Sequence, residues 1–487
     1  MTMWGNYVIF GGYLLLLVAI GYVTYRKTTS YDDYSLAGRS NNKWITAISA
    51  ESSDMSGWLL LGLPGMAFSM GFGSLWVVTG ILFGTLFNWT VIANRLRRAS
   101  EFYGAVTLTE FFEKRLGDSR GIIGCIAAIV IILFMIINAS AEIIGSGKLL
   151  NIAFGLEYKT GIVLGLFIVM IYTYLGGYLA VSWSNLIQGS IIFLALILVP
   201  LVALGHIESS AWLGEHLLKE NPEFFSFFSG SSGFWSRCAL VLGGIGIGVG
   251  YPGQPHILTS FMSIKDPREI RDSTLIAMLW VGLTTYGAVM VGIIGRAIFQ
   301  DIGDPEQIFL ALTGEVFPSY TIGLFAAAVM AAILSSVSAY FLVAAASYAS
   351  NIYKRFKKVE SLEQLVPVER LAVVVISVAA FLMSLSGGLV FDIALYAWGG
   401  LAACFGPLVL LSLYSEKINL PGAVVGMLVG MVTILGWYNL GYSDFLYELI
   451  PGFAFSLMAM YGVSLGTGGA SVASLQRFRE FRTLLKS

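Results

Sequence analysis

The sequence is poor in the side chains that carry acid–base, metal and redox chemistry. Charged residues make up only 12% of its 487 positions, and it holds three histidines and three cysteines. Cys125, Cys238 and Cys404 lie in or beside apolar stretches with no pair spacing. They read as small buried hydrophobes rather than a disulfide or metal framework. Of His206, His216 and His256, only His256 falls within an apolar segment, with no Asp, Glu or Cys at ligand or general-base spacing. That argues against a membrane enzyme and leaves His256 as a structural hydrogen-bonder in Gln254-Pro255-His256. No cleavable leader is evident, because the first apolar run (7–25) is long enough to span a bilayer and ends in Arg26-Lys27. The tail from about 468 to 487 is short for a signalling domain, which argues against a nutrient sensor built on a transporter core. Neither a nucleic-acid partner nor an obligatory protein partner is expected.

What the chain has instead is hydrophobic length. Hydrophobic residues are 57% of the sequence, with 56 glycines. This is the composition of an all-α polytopic membrane protein, whose standing partner is the lipid bilayer. Runs of about 20 apolar residues predict thirteen spans, near 4–25, 44–70, 72–94, 121–150, 159–177, 180–206, 235–263, 273–299, 319–352, 370–388, 391–414, 418–438 and 446–467. Alternate loops then hold 23 of the 28 Lys and Arg, among them Arg26, Lys27, Arg95, Arg97, Arg98, Lys354, Arg355, Lys358, Arg479 and Lys486. The opposite set holds Lys148, Lys159, Lys219, Arg237 and Arg296. By the positive-inside rule the N-terminus lies outside and the C-terminus in the cytoplasm of a plasma (inner) membrane. The long outer loop 207–234, with Trp212 and Phe224, Phe225, Phe227 and Phe228, reads as interfacial helices or a lid, or as ordinary packing on the outer surface.

Two spans cannot be regular helices. In 44–70 a small, polar centre, Ser49-Ala50-Glu51-Ser52-Ser53-Asp54-Met55-Ser56-Gly57, carries two carboxylates. A charge near the bilayer midplane costs about 3 kcal/mol or more and faces a cavity or a partner. Backbone unwinds at that depth only where protein or a wet cavity surrounds it. In 235–263, six glycines and two prolines crowd 243–256, a density incompatible with an unbroken helix; close helix packing would explain the glycines, but not Pro252-Gly253-Gln254-Pro255. The broken spans are five apart, so the second enters from the opposite face. That predicts inverted repeats of five helices (44–206 and 235–414), with one extra helix before (4–25) and two after (418–467), and a binding site where the breaks meet. In the ninth span Ala332, Ser335 and Ser336 share one helical face. Their hydroxyls, with carbonyls freed by the first break, would supply about five neutral oxygens, a set suited to a small hard monovalent cation. Packing between helices is the plainer reading of that face.

At these residues the chain resembles the solute:sodium symporter family, most closely its sodium/proline branch. The resemblance rests on Asp32-Asp33-Tyr34, Leu36-Ala37-Gly38-Arg39, Ser53-Asp54-Met55-Ser56-Gly57-Trp58-Leu59-Leu60, Gly62-Leu63-Pro64-Gly65, Gly176-Gly177-Tyr178-Leu179-Ala180-Val181-Ser182-Trp183 and Gly253-Gln254-Pro255-His256-Ile257-Leu258. It implies a leucine-transporter-type core and a sodium ion held by the carbonyls of Ser52, Met55 and Ala332 and the hydroxyls of Ser335 and Ser336. Asp54 would act beside that ion through its field. Ser56, Gly57 and Trp58 would form one wall of the solute pocket, and Tyr251, Gln254 and Pro255 the other. Exposed amides at a half-helix start suit a carboxylate, and an aromatic face suits a pyrrolidine ring.

The chain also departs from that pattern. Asn185 stands where aspartate is common and Ala339 where a second sodium site has a serine-like residue, so one sodium per solute is expected. Ile247 and Asn138 replace a tryptophan and a tyrosine of the proline pocket. Glu142, one turn beyond Asn138, and Glu51 are added carboxylates. The expectation is a sodium-coupled importer of proline or a related small amino acid. The alternative is a sodium- or proton-coupled symporter of a more polar solute, with Glu142 either in the pocket or paired within the protein.

Overall fold

The computed structural model describes residues 2–25, 31–357, 359 and 361–485. Arg26, Lys27, Lys358 and Lys486 of the basic loop set lie outside the described residues. Among the described residues the chain is helical with no strand, apart from one isolated bridge between Asn41 and Ile264.

Among the described residues, ten helical stretches are long and apolar enough to cross a membrane, and Tyr158–Tyr174 and Gly233–Val249 are shorter apolar helices. Each of the thirteen predicted segments is occupied by helix. The two counts differ at the second, fifth and seventh segments. The latter part of the second segment runs on into the third as one stretch, Trp58–Phe102, and the fifth and seventh, kinked or broken, are too short to count by length. The tract Tyr158–Leu204 is 47 residues, about 70 Å if straight. It turns at Gly177, whose φ of 60° and ψ of −178° suit a residue without Cβ.

The first broken segment is three pieces, Lys43–Asp54, Gly57–Leu60 and Gly62–Met70. Asn42 starts it, its Oδ1 accepting from the Trp44 and Ile45 amides at 3.0 Å each. Helix geometry fails at Met55 (φ −78°, ψ 71°) and Ser56 (φ −77°, ψ −158°). The second broken segment runs as regular helix over Gly233–Val249, turns through Tyr251–Gly253 and restarts at Pro255–Ser263. Here the structure agrees with the sequence reading and locates the break at the Pro-Gly-Gln-Pro run. Gly243, Gly244, Gly246 and Gly248 are all helical, and the interruption falls at Pro252-Gly253-Gln254. Glycine serves contact instead. A Cβ on Gly248 would sit 2.2 Å from the Gly80 carbonyl oxygen, and one on Gly84 2.5 Å from the Gly248 Cα. The Gly233–Val249 and Leu75–Phe87 helices thus touch backbone to backbone, as small residues permit.

Helix Ile322–Ser347 is the axis of the bundle, with every residue except Ile322 and Leu324 buried. A helix apolar on all sides belongs in such a place. Within loop 207–234, helix Ser210–Glu220 leads to Phe224, whose carbonyl accepts from the Phe72 amide at 3.0 Å. Trp76 Nε1 donates to the Phe227 carbonyl at 2.9 Å, so this loop is pinned over residues 71–76. Helix Val472–Leu484 folds back, placing Phe478 against the Arg115 guanidinium at 4.0 Å.

Candidate functional site

The first break faces helix Ile322–Ser347 at mid-length, and the second break packs on helix Val390–Tyr414. Ser335 Oγ donates to the Ser52 carbonyl at 2.7 Å and to the Ala332 carbonyl at 2.9 Å. Ser336 Oγ donates to the same Ser52 carbonyl at 3.3 Å. Ser52, Met55, Ala332, Ser335 and Ser336 are all fully buried. Four of these five residues therefore meet in one cluster of neutral oxygens, and Met55 stands at the break beside it. Ser52 is also tied to the neighbouring helix, its Oγ donating to the Asn185 carbonyl at 3.2 Å, while Asn185 Nδ2 donates to Ser49 Oγ at 3.3 Å. Ala339 is buried one turn further along Ile322–Ser347.

A narrow cavity of about 30 Å3 adjoins the first break, and Asp54, Trp58, Asn138, Ile247 and Tyr251 are on its wall. Asp54 is 2% exposed. Neither of its carboxylate oxygens reaches hydrogen-bond geometry with a partner, and the Tyr251 hydroxyl is its near neighbour. Trp58 Nε1 donates to the Asp54 carbonyl at 3.1 Å, which fixes the indole against the break.

Ser56, Gly57, Glu142, Gln254 and Pro255 are buried but not on this wall. Glu142 is wholly buried and accepts from the Gly57 amide on Oε2 at 2.9 Å. Ser56 Oγ and Glu142 Oε1 have no partner in hydrogen-bond geometry. Gln254 Nε2 donates to the Gly250 carbonyl at 3.3 Å and the Trp398 carbonyl at 3.1 Å, stapling the second break to helix Val390–Tyr414. Pro255 begins its helix, where the missing N–H costs nothing. Glu51 has an internal partner: Trp89 Nε1 donates to its Oε1 at 2.6 Å. His256 is not the hydrogen-bonder expected. Neither ring nitrogen has a hydrogen-bond partner, and the ring stands edge-on to Tyr340 at 4.9 Å.

The cavity has further walls that sequence reasoning missed, notably Tyr340, Phe391 and Trp398. Tyr340 was within reach, one turn past Ser336 on the same face. Trp398 sits in an unremarkable apolar helix and carried no local signal. It meets Tyr251 edge-on at 5.0 Å and donates from Nε1 to the Ile247 carbonyl at 3.1 Å. Phe391 stands 6.2 Å from Trp58. Its amide and that of Val390 donate to the two Glu306 carboxylate oxygens at 3.0 Å each. Glu306 also pairs with Lys148 at 2.6 Å, and Lys148 with Asp304 at 2.9 Å. The aromatic cover of the cavity is thus hung on an ion-paired carboxylate.

The sequence of residues 34–430 matches the model of the sodium:solute symporter family. The chain is 39% identical over 476 residues to the high-affinity proline transporter PutP of Bacillus subtilis (strain 168), covering 96% of this chain and 99% of that protein. It is 37% identical over 485 residues to the osmoregulated proline transporter OpuE of the same organism, covering 98% of each. Against the sodium/proline symporter of Escherichia coli (strain K12) it is 34% identical over 484 residues, covering 97% and 95%. Among solved structures, the substrate-bound outward-open state of a Na+-coupled sialic acid symporter superimposes with a TM-score of 0.82 at 19% identity, covering 96% of this chain and 98% of that one. MhsT in complex with L-phenylalanine superimposes with a TM-score of 0.55 at 15% identity, covering 90% and 98%. The fold is the all-α, leucine-transporter-type core that the family resemblance implies. By the match across most of its length to the family model, and by relatives above one-third identity over nearly the whole chain, this protein belongs to the sodium:solute symporter family.

Proposed function

We propose that this chain imports proline or a closely related small amino acid by sodium-coupled symport, one sodium per solute. It is a transporter, not an enzyme. The observation that carries the reading is the convergence of the Ser335 and Ser336 hydroxyls on the Ser52 carbonyl, beside a cavity at the same break. In this proposal Ser52, Met55 and Ala332 carbonyls and the two hydroxyls hold sodium, with the Asp54 charge beside it. Trp58, Asn138, Ile247 and Tyr251 contact the solute. Ser56, Gly57, Gln254 and Pro255 shape the two breaks that frame it.

Sodium ties the Lys43–Asp54 helix to the Ile322–Ser347 helix and so orders the cavity. By linkage, solute binding then strengthens sodium binding by the same factor. The occupied core then rocks against the remaining helices and opens inward to release both. The chain crosses the plasma membrane thirteen times in this scheme, N-terminus outside and C-terminus in the cytoplasm. Full-length relatives named as proline transporters support the choice of solute.

Radiolabelled proline uptake into proteoliposomes, with and without an imposed sodium gradient, tests the reading. Wild-type protein should accumulate proline only with the gradient. Replacing Ser335 and Ser336 together with Ala should raise the sodium needed for half-maximal uptake by about tenfold or more, the loss of two ligand oxygens at about 1 kcal/mol each. Unchanged sodium dependence refutes the site.

A further inference from the structure

Resting on that proposed function, we infer that Glu142 occupies the backbone amide a solute carboxylate would use, so that this transporter reads its solute by the ammonium end. Several amides around the first break are already committed. Ser56 N donates to the Asp54 carbonyl at 2.9 Å, Leu59 N to the Ser56 carbonyl at 3.0 Å and Leu61 N to the Gly57 carbonyl at 2.9 Å. The Gly57 amide is taken by Glu142 Oε2 at 2.9 Å. This is no loose contact, because a Cβ on Gly57 would lie 2.8 Å from that oxygen and Glu142 is 0% exposed. The protein thus carries its own carboxylate, from helix Ile122–Phe154, at the point where the chain resumes after the break.

Across the break the chemistry has the opposite preference. Asp54 is the charged residue on the cavity wall, and its two oxygens are without partners in hydrogen-bond geometry. Around it stand Trp58, Tyr251, Tyr340 and Trp398. A carboxylate set among aromatic faces is the recognition chemistry of an ammonium. Among the described residues no basic side chain lines the cavity, and Lys148 is engaged by Asp304 and Glu306. A solute anion therefore has neither the Gly57 amide nor a cationic side chain to hold it.

The test compares L-proline with L-prolinamide, which keeps the ring and ammonium and lacks the carboxylate. Dissociation constants are measured by calorimetry on the purified full-length protein in saturating sodium. Wild-type protein should bind the two within about threefold. Glu142→Ala frees the Gly57 amide and should favour proline over prolinamide by about tenfold or more, the worth of a hydrogen bond to a charged group. Glu142→Gln keeps an oxygen for that amide and should hold the wild-type ratio, and it stands in if the alanine variant fails to fold. A wild-type preference for proline beyond about tenfold, or a ratio unmoved in Glu142→Ala, overturns the inference. Sodium-driven proline uptake reads the proposed function separately. Strong uptake with strong proline preference sinks only the inference, a near-unity ratio without uptake sinks only the symport reading, and binding of neither solute sinks both.

Discussion

Gly57 shows how tightly single residues are specified around the first break. A methyl group there would meet Glu142 Oε2 at 2.8 Å and Ile333 Cγ1 at 3.2 Å. Gly57→Ala should destabilise the purified protein by about 1–3 kcal/mol, an overpacking cost, read as a lowered thermal midpoint in detergent. Truncating Glu142 in the same chain should restore part of the loss, because the closer of the two clashes disappears. Trp89 gives a second case. Its indole N–H is the partner of buried Glu51, and its ring meets Phe261 edge-on at 4.6 Å. Trp89→Phe keeps the ring and strands the carboxyl, at about 1–3 kcal/mol. The double change with Glu51→Ala should cost less than Trp89→Phe alone, since no polar group is then left without a partner.

At the scale of elements, the glycines of Gly233–Val249 separate contact from conformation. Gly244→Ala would place Cβ 2.6 Å from Trp76 Cβ and 2.7 Å from the Trp76 backbone carbon, whereas at Gly243 the nearest atom is Tyr447 Cβ at 3.8 Å. The first substitution should sharply reduce folded yield and the second should leave yield and uptake near wild type, as size-exclusion profiles would show. The contrast also explains what the sequence disclosed and what it did not. Polar Ser52 and Asp54 inside an apolar run exposed the first break, because regular lipid-facing helix has no use for them. Pro252 and Pro255 exposed the second. Glycine density alone could not place the break, since a helix touching another backbone and a helix coming apart both select for a missing Cβ. Tyr340 could have been read from its turn with Ser336. Trp398 could not, because its role depends on a helix more than a hundred residues away from Tyr251, and burial hides it among other apolar positions. Glu142 was recognisable as out of place, yet only coordinates show that it reaches Gly57.

For the molecule as a whole, the lopsided distribution of Lys and Arg predicts the direction of insertion. With the three native cysteines replaced, Thr2→Cys should react with an impermeant maleimide added outside intact cells. Ala473→Cys should react only after the membrane is opened. The reverse pattern would invert the proposed topology. One sodium per neutral solute also moves one net charge, worth about 2.3 kcal/mol for each 100 mV. Proline accumulation in proteoliposomes should therefore rise with an inside-negative potential at fixed sodium gradient, by up to about fiftyfold at that voltage.

The bridge between Asn41 and Ile264 bears on how such a molecule moves. Asn41 N donates to the Ser263 carbonyl at 3.3 Å and Lys265 N to the Asn41 carbonyl at 2.8 Å. These two bonds stitch the leading end of Lys43–Asp54 to the trailing end of Pro255–Ser263, with Asn41 Nδ2 adding a bond to Ser263 Oγ at 2.9 Å. Pieces so joined swing as a single leaf, not as two independent flaps. Deuterium uptake at the Lys265 amide would then stay slow through every stage of turnover, and cutting the stitch would uncouple the two pieces without touching the cavity at the first break.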